Sequence, residues 1–219
     1  MLINRITVGE VKVPLKVPFK TALRTVNEVH DLVLMIETDS GLVGYGSAAA
    51  TAVITGDLID SMRAGLALIA PKLIGRKLLD FNALLRTLHH GLVHHSSLKA
   101  GLEIALYDLR AQSVGLPLYQ LLGGAVRPAV PYSAYLFYKF ARHKGMDQDA
   151  CDDWGEVLTP AQMVDEARRM VAQYGFGSIK LKGGVFAPEV EIDALLALRA
   201  AFPGMPLRID PNGGWSVET

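Results

Sequence analysis

Hydrophobic and polar residues alternate over much of the first forty residues of the chain, which is the pattern of half-buried β-strands. The alternation runs over residues 3–13, and an apolar run rich in β-formers follows at residues 32–37. Asp39-Ser40-Gly41 is a turn signal between that run and the next apolar segment. The pattern therefore predicts an antiparallel meander with a hairpin at residues 39–41.

Between about residue 57 and residue 114 the apolar residues recur every three or four positions, which predicts helices. Asp57, Asp80 and a serine at 96 or 97 stand at the starts of three such segments, where each can cap a helix. Gly115-Leu-Pro117 ends the third segment. Strands followed by helices in this order predict an α+β domain, which we assign to residues 1–127.

The remaining residues, 128–219, alternate between strand and helix patterns. The segments are a strand at 130–138, a helix starting from a capping box at Thr159-Pro160-Ala161-Gln162, a strand at 178–182, a helix at 188–202 and a strand at 207–210. Helical connections of this length allow parallel crossovers, so this part is expected to form an α/β unit.

Composition narrows the classes of function. Half of the 219 residues are hydrophobic, and 22 basic side chains balance 22 acidic ones, so a nucleic-acid partner is not expected. The single cysteine cannot form an internal disulfide, which favours a reduced, cytoplasmic protein. No signal peptide is visible at the N-terminus, and no apolar run approaches the ~18 residues of a membrane span. A membrane partner is therefore not expected either.

Two lysines form the first candidate for chemistry. Lys180 and Lys182 occupy alternate positions of one predicted strand, so both side chains point to the same face, and Gly183-Gly184 follows at once. Adjacent cations disfavour each other's protonation, so one can act as a base near neutral pH while the other steadies a negative charge. The alternative is a solvated strand end without chemical function.

The next strand ends in Asp210-Pro211-Asn212, which is the second candidate. A carboxylate and an amide at the carboxyl end of a parallel strand suit a hard, oxygen-preferring cation. In α/β barrels this end of the strands carries the active site.

Two other features of the sequence are weaker indications of a functional site. His90 and His94 would share a face if one helix contained both, but no carboxylate or cysteine stands at the spacing of a zinc motif. Gly183-Gly184 lacks the Gly-x-x-x-x-Gly-Lys-Ser/Thr context of a phosphate-binding loop. Neither feature is therefore taken as a site.

Lys180-Leu-Lys182 followed by Ile209-Asp210-Pro-Asn212-Gly resembles the enolase superfamily, in its mandelate racemase and muconate-lactonizing branch. The resemblance implies an α+β capping domain followed by the first part of an α/β (TIM-type) barrel. Residues 16–124 resemble the capping domain of dipeptide epimerases, whereas residues from 130 onward resemble glucarate dehydratases. The join near residues 127–130 fits a natural subfamily, a recombinant or an engineered chimera.

The resemblance also implies roles for residues. A small carboxylate with an acidic α-proton is the substrate, and Mg²⁺ stabilises the enediolate that forms when a base removes this proton. Lys182 corresponds to the base, Lys180 to its neighbour near the substrate carboxylate, and Asp210 to a metal ligand. Asn212 corresponds to a polar residue of the site. Arg24 corresponds to a capping-loop residue that pairs with a distal carboxylate, although a solvated loop arginine is an equal alternative.

An acid-sugar dehydratase of the glucarate type is the expected function, and a dipeptide epimerase or cycloisomerase is the alternative. A third possibility is a barrel fragment that is inactive without further strands. A full barrel has eight strand–helix units, and about two and a half are recognisable here. The resemblance then places the other metal ligands beyond residue 219. We expect a homo-oligomer, or association through the open barrel.

Overall fold

Two three-stranded sheets organise the chain. The computed structural model describes residues 1–140 and 154–218. One sheet has the order β1-β2-β3 and the other has the order β4-β5-β6. The helices and strands are β1 (Ile3–Lys20), β2 (Thr25–Thr38), β3 (Val43–Ala49), α1 (Ile59–Leu73), α2 (Phe81–His90), α3 (Ser96–Ser113), α4 (Leu118–Leu121), β4 (Ala134–Leu136), α5 (Pro160–Tyr174), β5 (Ile179–Lys182), α6 (Pro188–Ala201) and β6 (Leu207–Asp210).

The first compact unit consists of residues 1–13 and 29–126. β2 and β3 are antiparallel, and the turn between them falls at residues 39–42, so the predicted hairpin is confirmed. Alternate residues of β2 are fully buried, because one face of this sheet packs against helices. Their partners in the core include Leu66 of α1, Leu84 of α2 and Leu102 of α3.

Helix α3 lies close to β3 because glycines of the strand face the backbone of the helix. A Cβ atom added to Gly44 would collide with the carbonyl oxygen of Ala105, and one added to Gly46 would collide with that of Gly101. Side chains of α3 also satisfy the backbone of β3, which is an edge strand of its sheet. The amide N–H of Tyr45 donates to Asp108 at 2.9 Å, and Gln112 donates to the carbonyl oxygen of Val43 at 2.8 Å.

The predicted role of Asp57 as the cap of α1 is wrong. The N-cap residue of α1 is Leu58, whose backbone N–H donates to Ser61 Oγ. Asp57 is 2% exposed as a residue, and its side chain accepts instead from the amide N–H of Ser97, in the first turn of α3, at 3.0 Å. It therefore stabilises the start of a helix about forty residues further along the chain.

The second compact unit contains residues 14–28 and the described residues from 127 onward. β4 pairs with β5 and β5 with β6, and both pairs are parallel, as the sequence predicts. Helix α5 begins at the predicted capping box, since Thr159 accepts from the amide N–H of Gln162, whose side chain in turn accepts from the N–H of Thr159. The strand predicted at 130–138 is shorter in the structure, with ladder pairing over Ala134–Leu136 only. None of the helices in the described residues has the length and apolar content needed to cross a membrane.

Candidate active site

The two lysines of β5 converge on one carboxylate of β6. The parallel register places Lys180 opposite Arg208 and Lys182 opposite Asp210. Lys180 Nζ lies 2.8 Å and Lys182 Nζ lies 2.9 Å from the same oxygen, Oδ2 of Asp210. From the sequence, the two adjacent cations are expected to repel each other, whereas the structure places an anion between them.

The two lysines differ in their surroundings. Lys182 is 6% exposed as a residue, whereas the side chain of Lys180 is 28% exposed. The Lys180 ammonium group also lies 5.1 Å from the centroid of the Tyr135 ring, which is within range of a cation–π interaction. Tyr135 is the residue of β4 in register with Lys180. The pair is therefore asymmetric, with one buried lysine and one lysine held against an aromatic ring.

Tyr135 is at one end of a row of three aromatic rings on this part of the sheet. The centroids of Tyr135 and Phe137 are 4.4 Å apart, and those of Phe137 and Phe19 are 4.9 Å apart. Sequence reasoning did not select these aromatic residues. The sequence did contain a signal for them, because Tyr135 and Phe137 occupy alternate positions of the predicted strand that precedes the lysine strand.

Asp210 is held in its ionised form. Hydrogen bonds from Lys180, then from Lys182 and from the backbone of Asn212, hold the pKa of the Asp210 carboxyl well below its usual range. The amide N–H of Asn212 donates to Asp210 Oδ1 at 3.0 Å, and Asn212 adopts a left-handed conformation with φ 51°. The structure therefore brings Asn212 to the site through its backbone.

Arg24 lies at the end of a tight turn. Thr21 forms this turn: its N–H and its hydroxyl donate to the carbonyl oxygen of Arg24 at 2.9 and 3.1 Å. The same hydroxyl oxygen accepts from the N–H groups of Leu23 and Arg24. The side chain of Arg24 is half-buried and has no hydrogen-bond or ion-pair partner among residues 1–140 and 154–218. A charged side chain without such a partner is available to a ligand.

The turn reaches the ends of the two lysine-site strands. A Cβ atom added to Gly184 would lie 2.5 Å from Cβ of Ala22 and 2.6 Å from the carbonyl oxygen of Pro211. Gly184 has φ +82°, a conformation that also favours glycine. The turn at residues 21–24, the loop after β5 and the loop after β6 therefore meet at Gly184.

Sequence reasoning also missed Glu191, near the start of α6. This residue is 0% exposed, and its carboxylate accepts from the backbone of Gly184, Val185 and Phe186. From the sequence, Gly183-Gly184 is not expected to form a phosphate-binding loop. In the structure, Gly184 and the two residues after it do bind an anion, which is the carboxylate of Glu191.

Asp210 fits a hard divalent cation as a single ligand, since it is ionised and a third exposed. Among residues 1–140 and 154–218, no group of three His, Cys, Asp or Glu side chains is arranged to hold a metal ion. The described residues therefore fit one ligand of a magnesium site and do not complete it.

The histidine cluster does not form the pair that a continuous helix would give. Helix α2 ends at His90, and His94 has φ 57°, so the two residues do not share a helical face. His89 instead contacts Glu103 at 2.8 Å.

Capping-domain and barrel elements with a lysine–aspartate site define a class of protein, and comparisons agree with it. Residues 3–123 match the family described as mandelate racemase/muconate lactonizing enzyme, N-terminal domain. Residues 162–219 match the enolase C-terminal domain-like family. The chain therefore belongs to the mandelate racemase/muconate lactonizing enzyme family of the enolase superfamily, with an α+β capping domain followed by the first part of an α/β barrel.

Named relatives include a dehydratase and an epimerase. The chain is 41% identical over 210 residues to a probable glucarate dehydratase of Streptomyces coelicolor, covering 86% of this chain and 47% of that protein. It is similar to a substrate-liganded L-Ala-D/L-Glu epimerase structure from Bacillus subtilis, with 36% identity and a TM-score of 0.84, covering 98% of this chain and 55% of that one.

A third relative was solved with a metal ion. It is an enolase from Pseudomonas fluorescens with bound magnesium, potassium and tartrate, with 37% identity and a TM-score of 0.82, covering 100% of this chain and 54% of that one. The chain thus spans about half the length of the relatives that it matches.

Proposed function

We propose that this chain carries the lysine half of an active site that removes the α-proton of a carboxylate substrate with the help of Mg²⁺. The observation that carries the proposal is the contact of Lys180 and Lys182 with one oxygen of Asp210 at the ends of parallel strands. A base and a metal ligand on adjacent strands are the parts that such a reaction needs close together.

Lys182 is the base in this proposal. Its Nζ lies buried at the end of β5 beside Asp210, and the neutral amine formed when Lys182 gives up its proton would accept the α-proton. Lys180 lies beside the substrate carboxylate in this proposal, with the Tyr135 ring against its ammonium group. Proton transfer requires Lys182 Nζ to leave Asp210 Oδ2, an oxygen that Asp210 would offer to Mg²⁺ instead when the ion is bound.

Asp210 would hold magnesium as one ligand, and Asn212 would orient Asp210 through its backbone N–H. Magnesium, when bound, supplies positive charge next to the substrate carboxylate, where negative charge develops. Arg24 would pair with a second, distal carboxylate of the substrate, because its guanidinium group has no partner in the described residues.

The substrate that we propose is an acid sugar, dehydrated as in a glucarate-type dehydratase. The probable glucarate dehydratase of S. coelicolor supports it with 41% identity. Tartrate, a hydroxylated dicarboxylate, occupies the magnesium-bound P. fluorescens relative. The second candidate is a dipeptide epimerase, supported by the B. subtilis structure and by the unpaired Arg24 among the described residues.

The test is α-proton exchange, followed by ¹H NMR in D₂O with Mg²⁺ present. Glucarate and L-Ala-L-Glu are supplied in turn, and the product distinguishes dehydration from epimerisation. Lys182→Ala should abolish the exchange, whereas Lys72→Ala, which removes an exposed lysine of α1, should leave it unchanged. Exchange at the wild-type rate in Lys182→Ala would show that Lys182 is not the base.

An alternative of another class is a barrel fragment that acts only when further strands are supplied. The half-length match to relatives supports it, as does the single metal ligand among the described residues. Under this alternative, exchange appears only after the remaining barrel strands of a relative are added as a separate chain. Exchange by the chain alone would exclude it.

A further inference from the structure

The loop after β5 is closed around a buried carboxylate. Three consecutive amide N–H groups donate to Glu191: Gly184 to Oε2 at 2.8 Å, and Val185 and Phe186 to Oε1 at 2.8 and 3.0 Å. Successive backbone N–H groups that face one anion form a nest. Here the anion is a side chain from the fourth residue of α6.

Glu191 has little else to offset the cost of burying its charge. The residue is 0% exposed, and no lysine, arginine or histidine among the described residues forms an ion pair with it. The three amides and the amino end of α6 therefore supply the compensation that a buried anion requires. Burial and then the negative charge of Glu191 raise the pKa of the nearby Tyr138 hydroxyl. The three hydrogen bonds from the loop amides to Glu191 therefore make the loop conformation depend on its carboxylate.

The loop in turn supports the candidate active site on two sides. Gly184 contacts Ala22, in the turn that ends at Arg24, and the carbonyl oxygen of Pro211, next to Asp210. The N–H of Gly183 also donates to the carbonyl oxygen of Asp210 at 3.0 Å. A shift of this loop would therefore move both the Arg24 turn and the metal-ligand strand relative to Lys182.

We infer that Glu191 is a positioning residue of the active site, which sets the Arg24 turn against the lysine strand by filling the nest at residues 184–186. The functional part of this inference rests on the proposed function. The structural part, that the carboxylate organises the loop and the turn, does not.

The matched variants are Glu191→Gln and Glu189→Gln. Glutamine keeps the size of the side chain, but its amide nitrogen cannot accept, so at least one loop N–H loses its acceptor. Glu189 lies two residues earlier on α6 and is exposed, so Glu189→Gln removes the same charge from the same helix end without touching the loop. Both changes are isosteric, which favours folding of both variants.

The first readout is amide hydrogen exchange and ¹H–¹⁵N chemical shifts of the full chain. In Glu191→Gln we expect exchange of the Gly184, Val185 and Phe186 amides to become about tenfold faster or more. The amide resonances of Ala22 and Arg24 should shift, and those of β4 should not. Unchanged exchange at 184–186 would overturn the inference. Equal acceleration throughout β4, β5 and β6 would also overturn it, because it would show a general loss of stability.

The second readout is the kinetics of α-proton exchange. Because the Arg24 turn is proposed to bind substrate, Glu191→Gln should raise KM about tenfold and lower kcat less than about threefold. An active wild type with unchanged KM in Glu191→Gln would overturn the positioning role alone. A wild type without exchange on any carboxylate, both alone and with the remaining barrel strands of a relative added as a separate chain, would overturn the proposed function, and the amide readout would still decide whether Glu191 sets the turn.

Discussion

Lys182 Nζ lies 2.9 Å from Asp210 Oδ2, across the pair of parallel strands β5 and β6. The same oxygen accepts from Lys180 at 2.8 Å, so one carboxylate lies between two ammonium groups. In the described residues the shared carboxylate thus reduces the repulsion between the two lysines and leaves one net positive charge. A cation that binds Asp210 would compete with Lys182 for this oxygen, which couples occupancy of Asp210 to the position of the Lys182 ammonium group.

Replacing Asp210 with Asn should lower stability at neutral pH and remove an acid-dependent part of it. The pKa of Asp210 is depressed in the fold by Lys180, Lys182 and the Asn212 backbone. A carboxyl of this kind stabilises the fold above its unfolded pKa of about 3.9, and the contribution is lost as the pH falls through lower values. The contribution at pH 7 should be about 1 kcal/mol or less, because the side chain is 33% exposed.

Urea unfolding of the wild type and of Asp210→Asn between pH 7 and pH 2 measures this effect. The difference in the free energy of unfolding should narrow steadily below about pH 4. Asp193→Asn, an exposed change on α6, is the control and should show no such trend. A difference that stays constant down to pH 2 would contradict the electrostatic explanation.

Local signals made much of the second unit predictable. The strand at 207–210 and the capping box at Thr159 were predicted correctly because their signals lie within a few residues. Asp57 was assigned to the wrong helix for the opposite reason: proximity in sequence favoured α1, whereas the fold brings Ser97 to its carboxylate. The starts of α1 and α3 both have backbone N–H groups that need an acceptor. The tertiary structure, and not the spacing along the sequence, determines which of them Asp57 accepts from.

The candidate site also has parts that local sequence patterns predict and parts that depend on the tertiary structure. The lysine pair and Asp210 follow from strand alternation and from the parallel register. The role of Glu191 could not be read from the sequence, because it depends on three loop amides turning towards one point. An acidic residue in the first turns of a helix is common and predicts only a favourable helix dipole. The sharing of Asp210 by both lysines likewise requires side-chain positions.

Asp57→Asn should destabilise the first unit through α3 and not through α1. Burial raises the pKa of Asp57, but hydrogen bonds from Ser97 and Thr55 outweigh it, so the pKa lies below its ordinary value. Loss of the charged acceptor should lower the free energy of unfolding by about 1–2 kcal/mol at pH 7. As with any depressed carboxyl pKa, this difference should shrink as the pH falls below about 4.

The measurement is thermal or urea unfolding followed by circular dichroism, with Asp60→Asn as the matched control. Asp60 lies in the first turn of α1 and is exposed. Faster amide exchange confined to the first turn of α3 in Asp57→Asn would support the assignment. If the first turn of α1 were the segment that exchanged faster, the sequence-based assignment of Asp57 to α1 would be restored.

Tyr135 offers a test of what keeps Lys180 in place. Its ring lies 5.1 Å from the Lys180 ammonium group, and Tyr135 is 38% exposed, so substitution should leave the fold intact. A cation–π contact of about 0.5–1 kcal/mol corresponds to roughly a two- to fivefold change in rate when the cation acts on the substrate. Tyr135→Leu should therefore lower kcat/KM for α-proton exchange by roughly two- to fivefold, whereas Tyr135→Phe should retain most of it. Similar losses in both variants would implicate the hydroxyl group instead of the ring, and no loss in Tyr135→Leu would show that Asp210 alone is sufficient to hold Lys180.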